Sequence, residues 1–329
     1  MNSFGRVFRV SIFGESHGRE IGVVIDGCPP GITLTEKDFE KDLLRRKPGK
    51  EGTTARIESD MPKIISGVYK GKTSGSPVAI IFGNEDIVSS DYEKFIDMPR
   101  PGHADFTSKI KYKGFNDLRG SGHFSGRLTA PLVAAGVVAK KILDKIEISA
   151  SLIEAGGAAD IESAIKSAEK EKDSIGGIIE CRITNLPAGL GEPFFDSVES
   201  VISHIIFAIP GIRGIEFGAG FKAAAMRGSS HNDVIISGDG KTATNNHAGI
   251  NGGITNNNDV VFRVAAKPTA TISGIQRTYN FKTNKLEELS AGGRHDTCFA
   301  LRVPPVVEAA AAIAIADFYL ICGSYSYGY

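Results

Sequence analysis

Apolar and polar positions along the chain follow two different periods, which together predict a mixture of strands and helices. Short apolar or alternating stretches bounded by glycine and proline predict strands over residues 9–13, 21–26, 64–69, 77–82, 147–153, 177–184, 260–266 and 298–303. Helical spacing predicts helices over 35–47, 131–143, 161–172 and 306–320, and another around Ile202. The elements lack the β-α-β alternation and the dinucleotide fingerprint of a Rossmann domain.

One long segment, residues 83–118, shows little periodicity, and we expect it to be a loop. A loop of this length inside a compact protein usually has a function or moves. It contains R-P-G-H-A-D, in which His103 stands between Arg100 and Asp105. A histidine on a surface loop is most often only solvated, and a functional role is the alternative that these charged neighbours keep open.

The helix predicted over 35–47 ends in three consecutive cations. Thr35 with Asp38 resembles a capping box at its start, and Arg45, Arg46 and Lys47 precede Pro48-Gly49 at its end. Cations at a helix C-terminus are favoured by the helix dipole, which is a sufficient structural explanation. The alternative interpretation is an anion-binding site.

Composition narrows the class of protein. The 329 residues carry 38 basic and 38 acidic side chains, so the net charge is zero and neither nucleic acid nor a membrane is an expected partner. The longest apolar runs, 132–139 and 309–316, are short for a membrane span. The four cysteines are scattered and no secretory leader is evident, which predicts a reduced, cytoplasmic protein. Without a repeat or a linker, residues 1–329 are expected to form a single domain.

Three stretches combine glycine with polar side chains and are candidates for a binding site. G-E-S-H-G places Ser16 and His17 between two glycines that permit a tight bend. R-G-S-G-H-F-S-G-R, at 119–127, leads into an apolar helix, and backbone N–H groups at such a helix start suit a phosphate. Lys267 and the threonines after it offer a charge and hydrogen-bond donors to the same kind of ligand. The seven histidines lack metal-ligand spacing, so no metal site is expected.

Several blocks together resemble the chorismate synthase family, over nearly the whole chain. They are G-E-S-H-G with V-I-D-G-C-P-P-G, R-R-K-P-G, T-T-A-R-I-E-S-D, R-P-G-H-A-D, N-N-H-A-G with G-G-I, K-P-T-A-T and G-G-R-H-D. The resemblance implies a lyase that converts 5-enolpyruvylshikimate 3-phosphate to chorismate and phosphate by anti-1,4-elimination, with reduced FMN and no net redox change. It also implies an α+β sandwich with helices enclosed between antiparallel sheets, assembled as a homotetramer.

The resemblance also implies roles for individual residues. His17 is the expected proton donor to the leaving phosphate, His103 acts near the flavin ring, Asp296 relays the substrate proton, and Ser16 assists. The substrate is a dicarboxylate phosphate, for which guanidinium groups are suited, and the candidates are Arg45, Arg46, Arg56, Arg119 and Arg294. The residues expected at FMN are His123, Phe124, Ser125, Pro210, Gly211, Gly252, Lys267, Pro268, Thr269, Ala270, Thr271 and Arg294.

One run departs from the family pattern. Most members have R-S-S-A-R-E-T where this chain has H-F-S-G-R-L-T, so that His123 replaces an arginine and Leu128 a glutamate. This change keeps open the alternative that the chain binds flavin or a phosphometabolite and has lost catalysis. The resemblance leaves a second, weaker alternative, an enzyme with its own NADPH-dependent flavin reductase activity as in some fungal relatives, against which the compact length argues.

Overall fold

Two antiparallel sheets carry the longer strands. The structure, a computed structural model, describes residues 2–49, 51–54, 58–85, 90–291 and 295–325. The strands are β1 (Ser3–Phe4), β2 (Arg9–Gly14), β3 (Glu20–Asp26), β4 (Lys63–Ser66), β5 (Val68–Tyr69), β6 (Lys72–Thr73), β7 (Val78–Gly83), β8 (Glu147–Ala155), β9 (Gly177–Thr184), β10 (Ile212–Phe217), β11 (Ile250–Asn251), β12 (Ile254–Thr255), β13 (Val260–Ala266), β14 (Gln276–Asn280) and β15 (Lys285–Leu289). The first sheet has the order β1-β2-β3-β7-β4 and the second β10-β13-β9-β8.

Helices fill the space between and beside these sheets. They are α1 (Glu40–Arg46), α2 (Asp105–Lys111), α3 (Thr129–Ile142), α4 (Ile161–Lys170), α5 (Val198–Ile206), α6 (Gly228–His231) and α7 (Pro304–Tyr325). Short 3-10 segments span Glu36–Phe39, Ser90–Ile96, Arg119–Phe124, Gly126–Leu128, Phe194–Asp196, Gly220–Ala225 and Phe299–Arg302, of which Arg119–Phe124 is interrupted by non-helical residues at Gly120–Gly122. Thr35 and Asp38 form the expected capping box before the first of them.

The two longest helices form the centre of a layered core. α3 packs on β3 and β7 of the first sheet, α7 packs on β8 and β9 of the second, and the two helices pack against each other. At their crossing a Cβ on Gly136 would lie 2.3 Å from Cβ of Ala309, so only glycine fits there. This arrangement confirms the expected α+β sandwich with helices enclosed between antiparallel sheets.

Alternation along the strands explains why each sheet faces the helices with its apolar side. In β13, Val260, Phe262 and Val264 are buried at every second position. Their partners across the ladder to β9 are Ile183, Cys181 and Ile179, which are fully buried as well. A period of two places all of these side chains on one face of the sheet, and α7 packs against β8 and β9 of that sheet.

α7 is longer and more apolar than the sequence suggests. The sequence predicts an apolar run of 309–316, which is too short to cross a membrane. By length and composition the helix segment Pro304–Gly323 is long enough. In the fold, 72% of that window is buried, and the helix packs against α3, α5 and β8. Burial on all sides explains an apolar composition without a membrane.

Some of the other predicted elements are confirmed and some are wrong. The strands expected at 177–184 and 260–266 are confirmed. The strand expected at 298–303 is wrong, because Phe299–Arg302 forms a 3-10 turn that leads into α7 at Pro304. The loop expected at 83–118 contains α2 and the turn Ser90–Ile96. The hairpin of β14 and β15 has mixed polar faces and gave no apolar pattern to detect.

Candidate active site

A cavity of about 280 Å³ opens where the ends of several elements meet. The end of α1, the 3-10 turn Ser90–Ile96, the loop before α2, the glycine-rich loop before α3, the end of α5 and the segment before α7 all contribute to its wall. The predicted site residues that line it are Arg46, His103, Ser125, Pro210, Thr269, Ala270, Thr271 and Asp296. Residues up to 250 positions apart are thus brought together, as a common site requires.

Two arginines share one buried carboxylate on one wall of the cavity. Arg46 and Arg127 each donate to a different oxygen of Asp60, and all three side chains are almost fully buried. Arg127 also donates to Asn84 Oδ1 at 3.0 Å, and Arg46 to Thr129 Oγ1 at 3.3 Å. Burial raises the pKa of Asp60, but the two guanidinium groups outweigh this effect and lower it overall. Asp60 therefore stays ionised and holds both arginines in place.

A second buried pair holds His103. Arg100 binds Asp105 through Nε and Nη2, each at 2.8 Å, and both side chains are 3% exposed. His103 Nδ1 lies 2.7 Å from Asp105 Oδ1. The pKa of Asp105 is raised by burial but, on balance, is held well below its usual range by Arg100 and His103. The segment that the sequence predicts to be a loop is therefore built around an ionic cluster.

Asp296 is held from two directions at the entrance to α7. Its carboxylate accepts from the backbone N–H of Thr54 at 2.7 Å and from Arg302 Nη1 at 3.0 Å. Arg302 in turn donates through Nε to the carbonyl oxygen of Arg46 at 2.9 Å. Arg302 lines the cavity and links Asp296 to the end of α1.

Ser16 and His17 lie directly behind the cavity wall. A Cβ on Gly120, which lines the cavity, would lie 2.3 Å from Cδ2 of His17 and 2.9 Å from Oγ of Ser16. Ser16 is fully buried and His17 is 6% exposed. The His17 ring packs edge-on against Tyr92, another residue of the cavity wall, with 5.3 Å between ring centroids. The structure thus brings both predicted residues to the cavity, separated from it by a single glycine.

Two of the predicted substrate arginines lie elsewhere. Arg45 binds Glu308 through both terminal nitrogens, at 2.8 and 2.7 Å, on the side of α1 away from the cavity. Arg119 is bound by Asp117 next to it and is largely exposed. Neither lines the cavity among the described residues. Arg56 and Arg294 lie outside the described residues, so their predicted roles stay predictions.

The other predicted flavin residues that the structure describes do not line the cavity. His123 donates through Nδ1 to the carbonyl oxygen of Gly14 at 2.8 Å, and Phe124 packs near Tyr112. Gly211 lies against Phe299, a residue of the wall, where a Cβ would come within 2.4 Å of the ring. Lys267 donates through Nζ to the carbonyl oxygen of Gly102 at 2.5 Å, and Pro268 follows it. Gly252 lies at the turn between β11 and β12.

The sequence did not assign several residues that the structure places in the wall. Arg100 and Arg127 stand inside motifs that were singled out for a neighbouring histidine or for glycine, so a charge inside a motif was the available signal. Arg302 had no such signal, because it was placed in a strand that is not formed. The charged and aromatic residues of the wall that the sequence did not assign include Arg100, Arg127, Arg302, Asp60 and Tyr92.

One buried hydroxyl in the wall indicates a polar ligand. Thr269 Oγ1 is buried and, among the described residues, has no hydrogen-bond partner within the protein. Buried polar groups are rarely left in this state, because the loss of hydration costs about 1–3 kcal/mol. Thr269 follows β13 and lines the cavity beside Ala270 and Thr271. A bound group with polar atoms, such as a flavin phosphate, would satisfy it, so the residues present fit the expected cofactor.

Comparison with known proteins decides the family. The model of the chorismate synthase family matches residues 8–320. The chain belongs to the chorismate synthase family. It is 58% identical over 322 residues to a chorismate synthase of Chitinophaga pinensis, covering 98% of this chain and 97% of that protein. It is 44% identical over 344 residues to a chorismate synthase of Pyrococcus abyssi, covering 96% and 97%.

A solved structure gives the same answer at the level of the fold. A crystal structure of a chorismate synthase, 27% identical in sequence, is similar with a TM-score of 0.75 over 97% of this chain and 93% of its own. The chain is therefore an enzyme, a lyase of the shikimate pathway that converts 5-enolpyruvylshikimate 3-phosphate to chorismate. A binding protein that has lost catalysis, the alternative raised by the changed 123–129 run, is not favoured.

Proposed function

We propose that the cavity between Arg46, Arg100 and Thr269 is where this lyase binds both its substrate and reduced FMN. The observation that supports the proposal best is the convergence of four arginines, Arg46, Arg100, Arg127 and Arg302, on one cavity that also contains the buried Thr269 hydroxyl, to which no described residue is hydrogen-bonded. Three carboxylates, Glu58, Asp60 and Asp296, line the same cavity and pair with Arg46, Arg127 and Arg302, whereas Arg100 is held by Asp105. Guanidinium groups fixed in this way are suited to carboxylates and phosphate.

The substrate loses phosphate from one ring carbon and a proton from another, and no electrons are gained or lost overall. When bound, reduced FMN supplies electron density that helps the carbon–oxygen bond break. The protein has to bind the two carboxylates and the phosphate, which we assign to the arginines of the cavity. Arg45, Arg56, Arg119 and Arg294 stay candidates from the sequence; of these, Arg45 and Arg119 lie outside the cavity.

Proton transfer is assigned to two residues of the wall, His103 and Asp296, and to two directly behind it, Ser16 and His17. We propose that His17 donates a proton to the departing phosphate, helped by Ser16, because histidine is the side chain that titrates near neutral pH. His103 lines the cavity and is assigned to the flavin ring. Asp296, fixed by Thr54 and Arg302, is assigned to removal of the substrate proton.

A direct assay tests this proposal. Under anaerobic conditions, the enzyme with chemically reduced FMN and 5-enolpyruvylshikimate 3-phosphate should release chorismate and free phosphate in equal amounts. Oxidised FMN without a reductant should give no turnover. Turnover with reduced FMN omitted would contradict the cofactor assignment. Turnover with oxidised FMN and NADPH would show a flavin reductase activity, which the proposal does not include.

Flavin binding can be tested apart from catalysis. Thr269→Ala should weaken equilibrium FMN binding about tenfold, because it removes a hydrogen bond of roughly 1 kcal/mol or more to a charged group. Thr278→Ala is the matched control, since its hydroxyl donates to the carbonyl oxygen of Pro99, outside the cavity wall. Equal affinity in both variants would remove Thr269 from the flavin site. We also propose that FMN is contacted by the other residues expected from the family resemblance, which are Pro210, Gly211, Gly252, Lys267, Pro268, Ala270, Thr271, His123, Phe124 and Ser125.

We also propose a cytoplasmic homotetramer whose subunits are single domains of residues 1–329. The cytoplasmic assignment is supported by four free cysteines, three of them buried. Burial raises the pKa of the Cys28 thiol to about 11, which keeps it unreactive. The single domain is supported by one apolar core that extends over both sheets and the helices between them. Sedimentation of the purified protein would test the tetramer.

A further inference from the structure

The glycine-rich loop over Arg119–Phe124 lies between the two histidines assigned to the reaction. Its three central residues all have a positive φ: 57° for Gly120, 69° for Ser121 and 53° for Gly122. Gly120 lies against His17, and a Cβ on Gly122 would lie 1.9 Å from the carbonyl oxygen of Asp117. The backbone N–H of Ser16 donates to the carbonyl oxygen of Gly122 at 3.0 Å. The loop is therefore fixed on both sides.

Ser121 is the exception in this loop, because a side chain other than glycine is strained at such a φ. Strain of this kind persists where the surrounding structure imposes it, and it is concentrated at functional sites. The Ser121 hydroxyl lies 3.1 Å from Nε2 of His103 and 3.2 Å from Nη2 of Arg100. Ser121 also lines the cavity.

The direction of each hydrogen bond follows from the chemistry of the groups. A guanidinium can only donate, so Arg100 donates to the Ser121 oxygen, and the hydroxyl hydrogen is left for Nε2 of His103. On the other side of the ring, Nδ1 of His103 lies 2.7 Å from the ionised carboxylate of Asp105, which can only accept. Arg100 Nη2 is also 3.1 Å from Nδ1, but the shorter contact to the carboxylate places a proton on that nitrogen. Nδ1 of His103 therefore donates to Asp105, and Nε2 accepts from Ser121.

We propose that Ser121 is a positioning residue for His103: its hydroxyl donates to Nε2 while the carboxylate of Asp105 accepts from Nδ1–H, and the two contacts together fix the orientation of the ring. Asp105, His103 and Ser121 form a continuous chain of hydrogen bonds that ends at the cavity. Arg100 is itself packed in place, since it is 5% exposed and its guanidinium lies 4.3 Å from the centre of the Phe95 ring. The effect of Ser121 on turnover rests on the proposed role of His103, whereas its effect on the ring does not.

Nitrogen NMR of the enzyme with 15N-labelled histidine tests the proposal without a ligand. His103→Ala identifies the signals of His103, which in the wild-type enzyme should show the proton on Nδ1. Because Asp105 keeps the proton on Nδ1, Ser121→Ala and Ser121→Gly should both shift the signal of Nε2, which loses its hydrogen-bond donor. Ser108→Ala is the matched control, because its hydroxyl donates to the backbone of Asp105 rather than to the ring. Unchanged His103 signals in both Ser121 variants would overturn the proposal.

Turnover provides a second measurement. We expect kcat to fall about tenfold in Ser121→Ala and Ser121→Gly, with KM within about twofold, because part of the 10²- to 10⁴-fold contribution of an acid–base group is lost. Agreement between the two variants assigns the loss to the hydroxyl, since glycine relieves the backbone strain and alanine does not. Unchanged kcat in both variants would overturn the effect on turnover. Absence of turnover in the wild-type enzyme would count against the proposed function, while the nitrogen signals would still decide the role of Ser121.

Discussion

Arg45 and Arg46 are neighbours in sequence, yet they belong to two different charged regions of the molecule. Adjacent residues of a helix lie about 100° apart around its axis. Arg46 is therefore turned into the cavity, where its side chain is 3% exposed and shares Asp60 with Arg127. Arg45 is turned toward α7, where it is 38% exposed and binds Glu308.

The two regions use similar groups for different purposes. Around Glu308, Arg45, Lys140 and the backbone N–H of Ala150 all donate to one carboxylate and so tie α1, α3, α7 and β8 together. Around Asp60, the arginines face a cavity. The comparison teaches that a run of cations at a helix end does not identify a binding site, whereas the open space that the cations face does.

The largest expected effect separates the two arginines. Arg46→Ala should lower kcat/KM by about 10²-fold or more, because removal of one partner from a buried charge cluster costs about 2–5 kcal/mol and would here also remove the proposed substrate contact. Arg45→Ala should leave kcat/KM within about threefold. Anaerobic chorismate formation measures both, with circular dichroism as the check on folding. Comparable losses in the two variants would show that the cavity does not distinguish them.

The Glu308 region should respond through stability. Glu308→Ala leaves the charges of Arg45 and Lys140 without their shared carboxylate, and we expect the free energy of unfolding to fall by about 3 kcal/mol. Urea titration gives this value, and kcat/KM of the folded fraction should stay near that of the wild-type enzyme. A loss below about 1 kcal/mol would mean that solvent replaces these contacts at little cost.

The helix crossing between α3 and α7 offers a smaller change. Gly136→Ala places a Cβ 2.3 Å from that of Ala309 and should cost about 1–3 kcal/mol by overpacking. Gly323→Ala, in α7 and with no atom within 4 Å of its added Cβ, is the control and should be neutral or slightly stabilising. Thermal unfolding compares them. Equal melting temperatures would show that the helices can separate freely at this crossing.

The smallest effect is a dependence on pH. Burial raises the pKa of Glu308, but Arg45 and Lys140 outweigh it and lower the pKa below the ordinary value of 4.5. A lowered pKa in the folded state gives stability that is complete above pH 4.5 and is lost as the pH falls through the folded value. The difference in unfolding free energy between the wild-type enzyme and Glu308→Gln should therefore shrink as the pH falls below 4.5. A difference that stays constant down to about pH 3 would contradict the charge assignment.

The sequence predicts much of the fold, because period and capping are local properties. The strands at 177–184 and 260–266 and the capping box at Thr35 follow from neighbouring residues alone. The site is harder to predict from the sequence, because a charged side chain can be paired with a residue that is far away in the chain. Nothing near Arg45 indicates Glu308, and nothing near Asp60 indicates Arg127, 67 positions away. Ser121 was visible only as a polar residue between glycines, and its contact with His103 required the fold.

The most direct test of the central claim is a crystal structure of the enzyme with FMN and 5-enolpyruvylshikimate 3-phosphate bound. The substrate should lie in the cavity beside Arg46, Arg127 and Arg302, with the flavin within hydrogen-bond distance of Thr269. Substrate bound at Arg45 and Glu308, or flavin bound away from Thr269, would contradict the assignment of this cavity as the active site.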